Sequence, residues 1–440
     1  MLQKLKAFYR SHKDAWLIAA LHKVYATISG FCRDTGTLFC LLRWKFKKIP
    51  ADRPIRVCFL QQDPNCWNKS KALYDLLKAD DRFAVSLLCV PDPFDPDTAS
   101  TYRFFADHGY DAIDARVGDG PWSTMDSQGD WFDLPSLQPD YVFYQQPYDA
   151  YLPAAYRSRS VSKYAKICIT PYGFALTKEL LVCSEYDFYK RVYCVYSVSQ
   201  AEQAFNAQRF APSHKLGIRH SKYLGTLVLS DLFSHKEETS PSWEFSKNSF
   251  RAIWTPRWTT DPKIGGSNFF RYKDFLPAYA KENPAADILF RPHPMAFANF
   301  VRNGQMTQQE VDAYIGQIEA GANTALDREK GYDATFWQSS VLVTDVSAII
   351  IEYFVTGKPI IFCEAAQRTC TYLAFFEKIL SVCYVAKDEQ DLRRYLSQLQ
   401  AGNDPLQEAR TAMIRELFGE DLTGTAKAIA EDLIADSSSK

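Results

Sequence analysis

The chain has 440 residues, of which 47% are hydrophobic and 23% charged, enough for two or three domains with ordinary buried cores. A net charge of −1 gives no basis for nucleic-acid binding. The eleven cysteines show no CxxC spacing and mostly lie in apolar runs, which predicts a reduced, cytoplasmic protein without a structural zinc.

Positive charge is concentrated at the N-terminus. Residues 1–48 contain ten Lys or Arg and two acidic residues, whereas the rest of the chain carries −9. The longest apolar run there has seven residues, far fewer than the ~20 that a membrane-spanning helix needs. Basic residues interleaved with Leu, Phe and Trp predict an amphipathic helical segment over residues 1–50. It lies either on a membrane surface or against the protein's own core.

Residues 51–233 alternate between apolar runs and helix-like stretches, which predicts a Rossmann-like domain. A strand at 55–61, a helix at 69–78 and a strand at 83–90 form a β-α-β opening, which indicates a parallel sheet. Further strands are predicted at 141–144, 165–170 and 191–198.

A polar, proline-containing stretch at residues 234–249 predicts a linker between this domain and a second one. The second α/β series spans 250–425 and is followed by a C-terminal helix and tail at 426–440. Its predicted elements are strands at 251–254, 287–290 and 340–343 and a helix at 307–320. Two such halves predict two Rossmann-like domains facing a cleft. Ligands then bind in the loops after the strands.

The loop after the strand at 340–343 is the most informative of these. Thr344 and Asp345 leave the strand, a helix is predicted to begin near Ser347, and Gly357 is placed to end it. A helix N-terminus offers free N–H groups to phosphate, and the Ser347 hydroxyl adds a donor. Asp345 is interpreted as a helix cap or as the acceptor that orients His293. The alternative is that Asp345 and Ser347 are only caps.

Two further loops carry candidate phosphate ligands. In Arg291-Pro292-His293-Pro294, two prolines stiffen the backbone around one imidazole, which suits a donor held in place for a transition state. The adjacent Arg291 matches phosphate geometry. After the strand at 251–254, Thr255 and Arg257 either bind a pyrophosphate or belong to an ordinary loop.

Together these motifs resemble the CDP-glycerol:poly(glycerophosphate) glycerophosphotransferase family, whose members build teichoic acids and capsule polymers. The matching segments, in order, are Trp254-Thr255-Pro256-Arg257-Trp258, Arg291-Pro292-His293-Pro294, and Thr344-Asp345-Val346-Ser347 with Gly357-Lys358-Pro359-Ile360-Ile361. The resemblance implies a GT-B fold with an acceptor domain first and a nucleotide-donor domain second. It also implies His293 and Asp345 as catalytic residues, with the donor bound by Arg291, Ser347, Thr344, Thr255 and Arg257.

The N-terminal half resembles capsule-associated members of the family, which implies an acceptor cleft formed by Tyr172, Gly173, Trp67, Asn68 and Gln145. One departure concerns the base. Teichoic-acid members typically carry His-Gly where this chain has Tyr172-Gly173, and a tyrosine with a pKa near its usual ~10 does not readily replace that histidine. A second departure is Ala348, where a second serine is common.

The implied reaction moves a polyol phosphate from CDP-glycerol or another CDP-polyol to a glycan or polyol-phosphate acceptor, releasing CMP. It is expected at the inner face of the cell membrane, on the surface or within a membrane-bound complex. No acidic cluster demands a metal, although Mg²⁺ is compatible with such chemistry. Two alternatives stay open: a GT-B glycosyltransferase that uses a nucleotide sugar, and a catalytically degenerate scaffold in capsule assembly.

Overall fold

The computed structural model describes residues 37–438 apart from 119–121, 123–128, 172, 183–184 and 330. Most of the predicted amphipathic segment, residues 1–36, therefore lies outside the described residues. Within the described part, no helix is both long enough and apolar enough to span a bilayer.

The first half of the chain builds a seven-stranded, fully parallel sheet. Its strands, with those of a small antiparallel ribbon (β4 and β5), are β1 (Ile55–Gln61), β2 (Phe83–Cys89), β3 (Ala112–Asp114), β4 (Arg116–Val117), β5 (Asp130–Trp131), β6 (Tyr141–Tyr144), β7 (Lys166–Ile169), β8 (Cys194–Tyr196) and β9 (His220–Lys222). The spatial order is β3-β2-β1-β6-β7-β8-β9. The predicted β-α-β opening is confirmed.

The second half builds a six-stranded parallel sheet in the order β12-β11-β10-β13-β14-β15. Its strands are β10 (Phe250–Thr255), β11 (Ala286–Phe290), β12 (Thr324–Leu326), β13 (Val341–Thr344), β14 (Ile360–Cys363) and β15 (Tyr384–Ala386). This is the doubly wound order, in which the first three strands are added toward one edge of the sheet and the next three toward the other. The point where the order reverses lies between β10 and β13.

Helices cover both faces of the two sheets. They are α1 (37–46), α2 (Lys71–Lys78), α3 (Ser100–Asp107), α4 (Ser158–Val161), α5 (Lys178–Val182), α6 (Tyr186–Tyr189), α7 (Gln200–Arg209), α8 (Ala211–Lys215), α9 (Leu227–Ser234), α10 (Phe269–Tyr272), α11 (Phe275–Glu282), α12 (Ala296–Arg302), α13 (Gln308–Glu319), α14 (Asp333–Gln338), α15 (Ile349–Phe354), α16 (Ala374–Leu380), α17 (Glu389–Gln400), α18 (Gln407–Phe418) and α19 (Thr425–Ser438). The predicted Thr307–Glu310 capping box is present at the start of α13.

Each sheet has an apolar core on both of its faces. Successive side chains of a strand pack into these two cores in turn, because they point to opposite faces of the sheet. In β1, Phe59 packs in one layer and Leu60 in the other. In β10, Trp254 and Ile253 divide in the same way. Both sheets are therefore buried on both sides, as the uninterrupted apolar runs predicted.

The last helix, α19, returns to the N-terminal domain. Its Asp436 accepts hydrogen bonds from Lys166 Nζ and the Tyr193 hydroxyl, each at 2.6 Å. A buried ion pair also joins the domains, since Lys69 Nζ lies 3.0 Å from Glu352 of α15. The two Rossmann-like domains of a GT-B fold are thus present and are linked by α19 and by the Lys69–Glu352 ion pair.

Candidate active site

The site is organised where the order of the C-terminal sheet reverses. The loops after β10 and β13 leave neighbouring strands at the same edge, with Thr255 opposite Thr344. Asp345 ties these loops together. Its carboxylate accepts the backbone N–H of Arg257 at 3.0 Å, that of Asn268 at 3.1 Å and the Asn268 amide at 2.9 Å.

This arrangement differs from the predicted catalytic role of Asp345. The residue is 2% exposed, and burial raises the pKa of its carboxyl against the hydrogen bonds that lower it. Its oxygens face the backbone of the β10 loop and Asn268 rather than His293. The carboxylate therefore fixes the shape of the loops and acts on a ligand only through them.

Arg257 is a candidate anion ligand in this half. Its side chain is buried, and one guanidinium nitrogen donates to the carbonyl of Val346. Its Nε is buried and has no hydrogen-bond partner in the described part of the chain. A buried guanidinium N–H without an acceptor is costly, and a phosphate oxygen is an acceptor that matches it. Desolvation lowers the Arg257 pKa, although the group stays charged at neutral pH.

His293 sits at the mouth of the cleft with a solvent-exposed edge. Its Nδ1 accepts the backbone N–H of Met295 at 3.1 Å. Desolvation by the surrounding protein, helped by the charge of Arg257, lowers the His293 pKa to about 4. The imidazole is therefore neutral at physiological pH. With Nδ1 accepting, its proton resides on Nε2, which is free to donate to a ligand.

A cleft of about 370 Å³ joins the two domains at this point. From the C-terminal domain it is lined by Arg257, Trp258, His293, Ser347 and Ala348. From the N-terminal domain it is lined by Pro147, Tyr148, Pro171, Gly173, Phe174, Ala175, Leu176, Leu180, Leu181, Tyr189, Glu202, Phe205 and Asn206. Its arginine and serine side chains lie on the C-terminal wall, while the N-terminal wall is mostly apolar and aromatic and carries the carboxylate of Glu202.

Ser347 lines the cleft, but the helix after it starts later than predicted. Helix α15 begins at Ile349 and has only six residues. Val346, buried at 1%, anchors the preceding bend in the core. Gly357 has a left-handed φ of 78°, as a glycine placed after a helix requires. Across the cleft, a Cβ added to Gly173 would lie 3.8 Å from the Cβ of Ala348, so the two domains approach closely there.

Three residues predicted to bind the donor have other partners. Thr255 and Thr344 are buried, and their hydroxyls lie 2.8 Å apart because they face each other across β10 and β13. Arg291 pairs with the buried carboxylate of Asp327 and lies over the ring of Tyr332 at 5.2 Å. None of the three lines the cleft between the described residues of the two domains.

Of the residues predicted to contact the acceptor, only some line the cleft in the described structure. Gly173 lines the cleft, and Tyr172 lies outside the described residues. Trp67 is instead a core residue, 5% exposed, whose indole N–H donates to the Tyr110 hydroxyl at 2.9 Å. Its ring packs edge-on against neighbouring aromatic rings, as its size and amphipathic character favour.

The amide side chains of Asn68 and Gln145 are also turned inward. The Gln145 Oε1 accepts the N–H groups of Gln62 and Asp63, each at 2.9 Å, and so shapes the loop after β1. Asn68 Oδ1 is buried. Gln145 therefore supports the loop after β1, while Asn68 interacts with Tyr332 of the C-terminal domain. Neither residue lines the cleft, where the predicted contact with the acceptor would lie.

Glu202 is a cleft residue that the sequence interpretation missed. It stands near the start of α7, just beyond the end of β8. Ser199 caps the N–H of Glu202 at 3.2 Å, and Glu202 accepts the N–H of Val198 at 2.9 Å. Desolvation raises its pKa to about 7. The S-x-x-E spacing is that of an ordinary helix cap. The one sequence signal for a ligand-binding role was that Glu202 follows a predicted strand.

Residues 253–421 match the sequence profile of the CDP-glycerol:poly(glycerophosphate) glycerophosphotransferase family. No curated protein matches the chain. Among solved structures, the chain is similar to UDP-GlcNAc 2-epimerase from Neisseria meningitidis, at 13% identity and a TM-score of 0.57, over 86% of this chain and 99% of that one. It is also similar to the wall teichoic acid polymerase TagF, at 12% identity and a TM-score of 0.53, over 95% of this chain and 96% of that one.

The structural neighbours share the two-domain α/β fold, whereas the profile match covers the part of the chain that carries Arg257, His293 and Ser347. This match confirms the resemblance deduced from the three loop motifs. The C-terminal domain is thus similar in sequence to the CDP-glycerol:poly(glycerophosphate) glycerophosphotransferase family over residues 253–421.

Proposed function

We propose that this enzyme transfers a polyol phosphate, glycerol phosphate or a relative, from a CDP-alcohol to a hydroxyl of a cell-surface glycan or polyol-phosphate acceptor. The observation that carries the proposal is the buried Arg257, whose Nε has no hydrogen-bond partner among the described residues and which lines a cleft that also contains His293 and Ser347. A diphosphate needs these groups: one fixed positive charge and neutral donors around it. The similarity of residues 253–421 to that family supports a CDP-alcohol as the donor.

In the proposed reaction, an acceptor oxygen attacks the β-phosphorus of the CDP-alcohol. The bond from this phosphorus to the bridging oxygen breaks, and CMP leaves with that oxygen. Arg257 and His293 offset the charge that develops on the phosphoryl oxygens, since such transfers depend on positioning and charge neutralisation. Both groups belong to the C-terminal wall, which supports assigning the donor to that wall and the acceptor to the N-terminal wall.

The acceptor hydroxyl loses its proton during this step, and Glu202 is the proposed base. It lines the N-terminal wall, and its pKa of about 7 lies where a base is both ionised at physiological pH and basic enough to act. With this assignment, the chain does not need the family's histidine as a base. The proton acceptor comes from α7 instead of the turn at Tyr172-Gly173.

A donor panel tests the proposal. CDP-glycerol, CDP-ribitol, UDP-GlcNAc and CMP are each added to the purified full chain, and thermal stabilisation and CMP release are measured. We expect stabilisation by the CDP-alcohols and CMP, with CMP released when acceptor is present. Arg257→Ala should lose the stabilisation, whereas Arg302→Ala, which removes an exposed arginine of α12, should keep it. Stabilisation by UDP-GlcNAc alone would instead support the glycosyltransferase alternative.

We further propose that α1 brings the enzyme to an anionic membrane surface. Leu41 and Trp44 pack on the N-terminal domain, yet the opposite face exposes Leu38, Phe39, Leu42 and Phe46. At ~100° per residue these four side chains fall within one ~100° arc. Phe39 and Phe46 are 71% and 72% exposed. The lysines of this helix and its exit give the charge that anionic lipid attracts.

Vesicle sedimentation tests this location. The wild-type chain should bind vesicles containing phosphatidylglycerol more strongly than neutral phosphatidylcholine vesicles. The double variant Phe39→Ser, Phe46→Ser should lose most of this binding. The control Phe94→Ser removes a comparably exposed ring (68%) on the loop after β2 and should bind normally. Equal binding by all three proteins would contradict the proposal.

A further inference from the structure

A second group of chemically capable side chains lies outside the cleft, between α9 and α14. Asp231 and His235 lie at the C-terminal end of α9 and just beyond it, and Asp333 begins α14. One ligand atom from each side chain lies within 4.8 Å of the other two. We propose that these three residues bind a divalent transition-metal cation, Zn²⁺ or Mn²⁺, which pins α9 to the C-terminal domain.

The donor set fits such a cation. Two carboxylates and one imidazole are ligands that Zn²⁺ accepts at about 2.0–2.2 Å, and Mn²⁺ also accepts carboxylates. Two atoms bound to one such ion lie at most about 4.2–4.4 Å apart. Closing the present spacing therefore requires side-chain movements of less than about 1 Å. The His235 Nε2 already lies 3.9 Å from the Asp231 carboxylate.

A carboxylate also lies on the other side of the imidazole. His235 Nδ1 lies 3.3 Å from the Glu238 carboxylate, although the two atoms do not have hydrogen-bond geometry in the described structure. A carboxylate that bonds to the far ring nitrogen orients a metal-binding histidine and strengthens its bond to the ion. With Glu238 beside Nδ1, Nε2 is the nitrogen on the Asp231 side.

Asp333 gives the second, independent sign of a missing partner. The residue is only 8% exposed, and its Oδ1 is buried without a hydrogen-bond partner in the described part of the chain. Burying a carboxylate oxygen in this way is costly unless a cation or donor meets it.

The surrounding charge favours a cation as that partner. Asp333 faces the carboxylates of Asp231 and Glu352. Of the nearby lysines, Lys69 is already paired with Glu352 and Lys71 with Asp75. A divalent ion would remove the repulsion that a lone carboxylate pair suffers in a low-dielectric site. The sequence did not indicate this site, because its ligands are separated by about a hundred positions.

Metal titration of the full chain tests the proposal. After chelator treatment, ZnCl₂ and MnCl₂ are titrated by calorimetry, and the melting temperature is measured with and without metal. Wild-type protein should bind one ion and melt at higher temperature when it is bound. His235→Gln should weaken binding about tenfold or more. His108→Gln, which removes an exposed imidazole of α3, should behave as wild type.

Asp333→Asn separates a metal site from a structural carboxylate pair. If Asp231 and Asp333 form a metal site, this variant should lose metal binding. Its metal-free melting temperature should stay equal or rise, since a contact between like charges is removed. A metal-free melting temperature that falls, together with wild-type metal binding, would overturn the proposal. So would equal metal affinity in wild-type protein and His235→Gln, or no binding by the wild-type chain.

Discussion

Replacing His293 with alanine is the most direct test of the donor site. Its neutral imidazole presents Nε2–H to the cleft, and a hydrogen bond to a charged phosphate contributes ~1.5–3 kcal/mol. At about 1.4 kcal/mol per tenfold change, its loss should lower the rate of CMP release by roughly 10- to 150-fold. If the bond strengthens as the phosphoryl group transfers, the loss falls on kcat rather than on KM.

The assay is CMP release from CDP-glycerol, or from whichever donor stabilises the protein, with circular dichroism to show that the variant folds. His293→Gln extends an amide N–H toward the same space and should retain more activity than His293→Ala. His108→Ala, which removes an exposed histidine, serves as the control. Unchanged kcat in His293→Ala would refute the contact with the diphosphate.

The low His293 pKa adds a second readout. Because this pKa is lowered from its ordinary value to about 4, the free enzyme keeps a neutral ring throughout pH 5–8. The pH profile of kcat/KM should therefore show no step near 6.5 that depends on His293. A step at that pH that disappears in His293→Gln would refute the neutral-donor interpretation.

The remaining predictions concern the base, the domain contact and the turn at Tyr172. Glu202→Gln should lower kcat by about 10²- to 10⁴-fold and remove the acidic limb of the kcat/KM profile near pH 7, because activity requires the carboxylate that forms as pH rises through about 7; Glu237→Gln, at an exposed position, should preserve both. Lys69→Met should reduce the free energy of unfolding by about 3–5 kcal/mol, since it leaves Glu352 buried and unpaired. Lys69→Met combined with Glu352→Gln should recover much of this in urea titrations, and a fully additive loss would contradict the pairing. Tyr172→Phe, which retains the ring, should lose far less activity than His293→Ala, and a comparable loss would identify the hydroxyl as essential.

The sequence predicted the elements and the functional edge of the C-terminal sheet because the signals for both are local. Apolar runs located β10, β11 and β13, and parallel strands place their following loops at one edge. The direction of a side chain cannot be predicted from local sequence in the same way, since it depends on which strands are neighbours. Thr255 and Thr344 looked like donors to a ligand, yet adjacent registers turn their hydroxyls toward each other.

The N-terminal wall was harder to predict for a related reason. Trp67 and Gln145 follow strands as ligand-binding residues do, but an aromatic core and the loop after β1 take their side chains. Glu202 had the pattern of a helix cap, and only its place on the cleft wall distinguishes it from other caps. Position after a strand thus narrows the candidates, while packing from distant parts of the chain decides which of them reaches the ligand.

Asp345 shows how the two kinds of information combine. The sequence motif identified Asp345 as a candidate, and the motif does lie at the centre of the site. Its carboxylate, however, accepts hydrogen bonds from N–H groups of the β10 loop and Asn268. Those bonds hold Arg257 beside the bend at Val346, where its guanidinium lines the cleft and its Nε is left without a partner. A rigid acceptor behind the loop lets a buried arginine keep its position before a ligand arrives, so less reorganisation is needed during phosphoryl transfer. In the proposed reaction, the acidic residue of the motif thereby contributes to anion binding without contacting the anion.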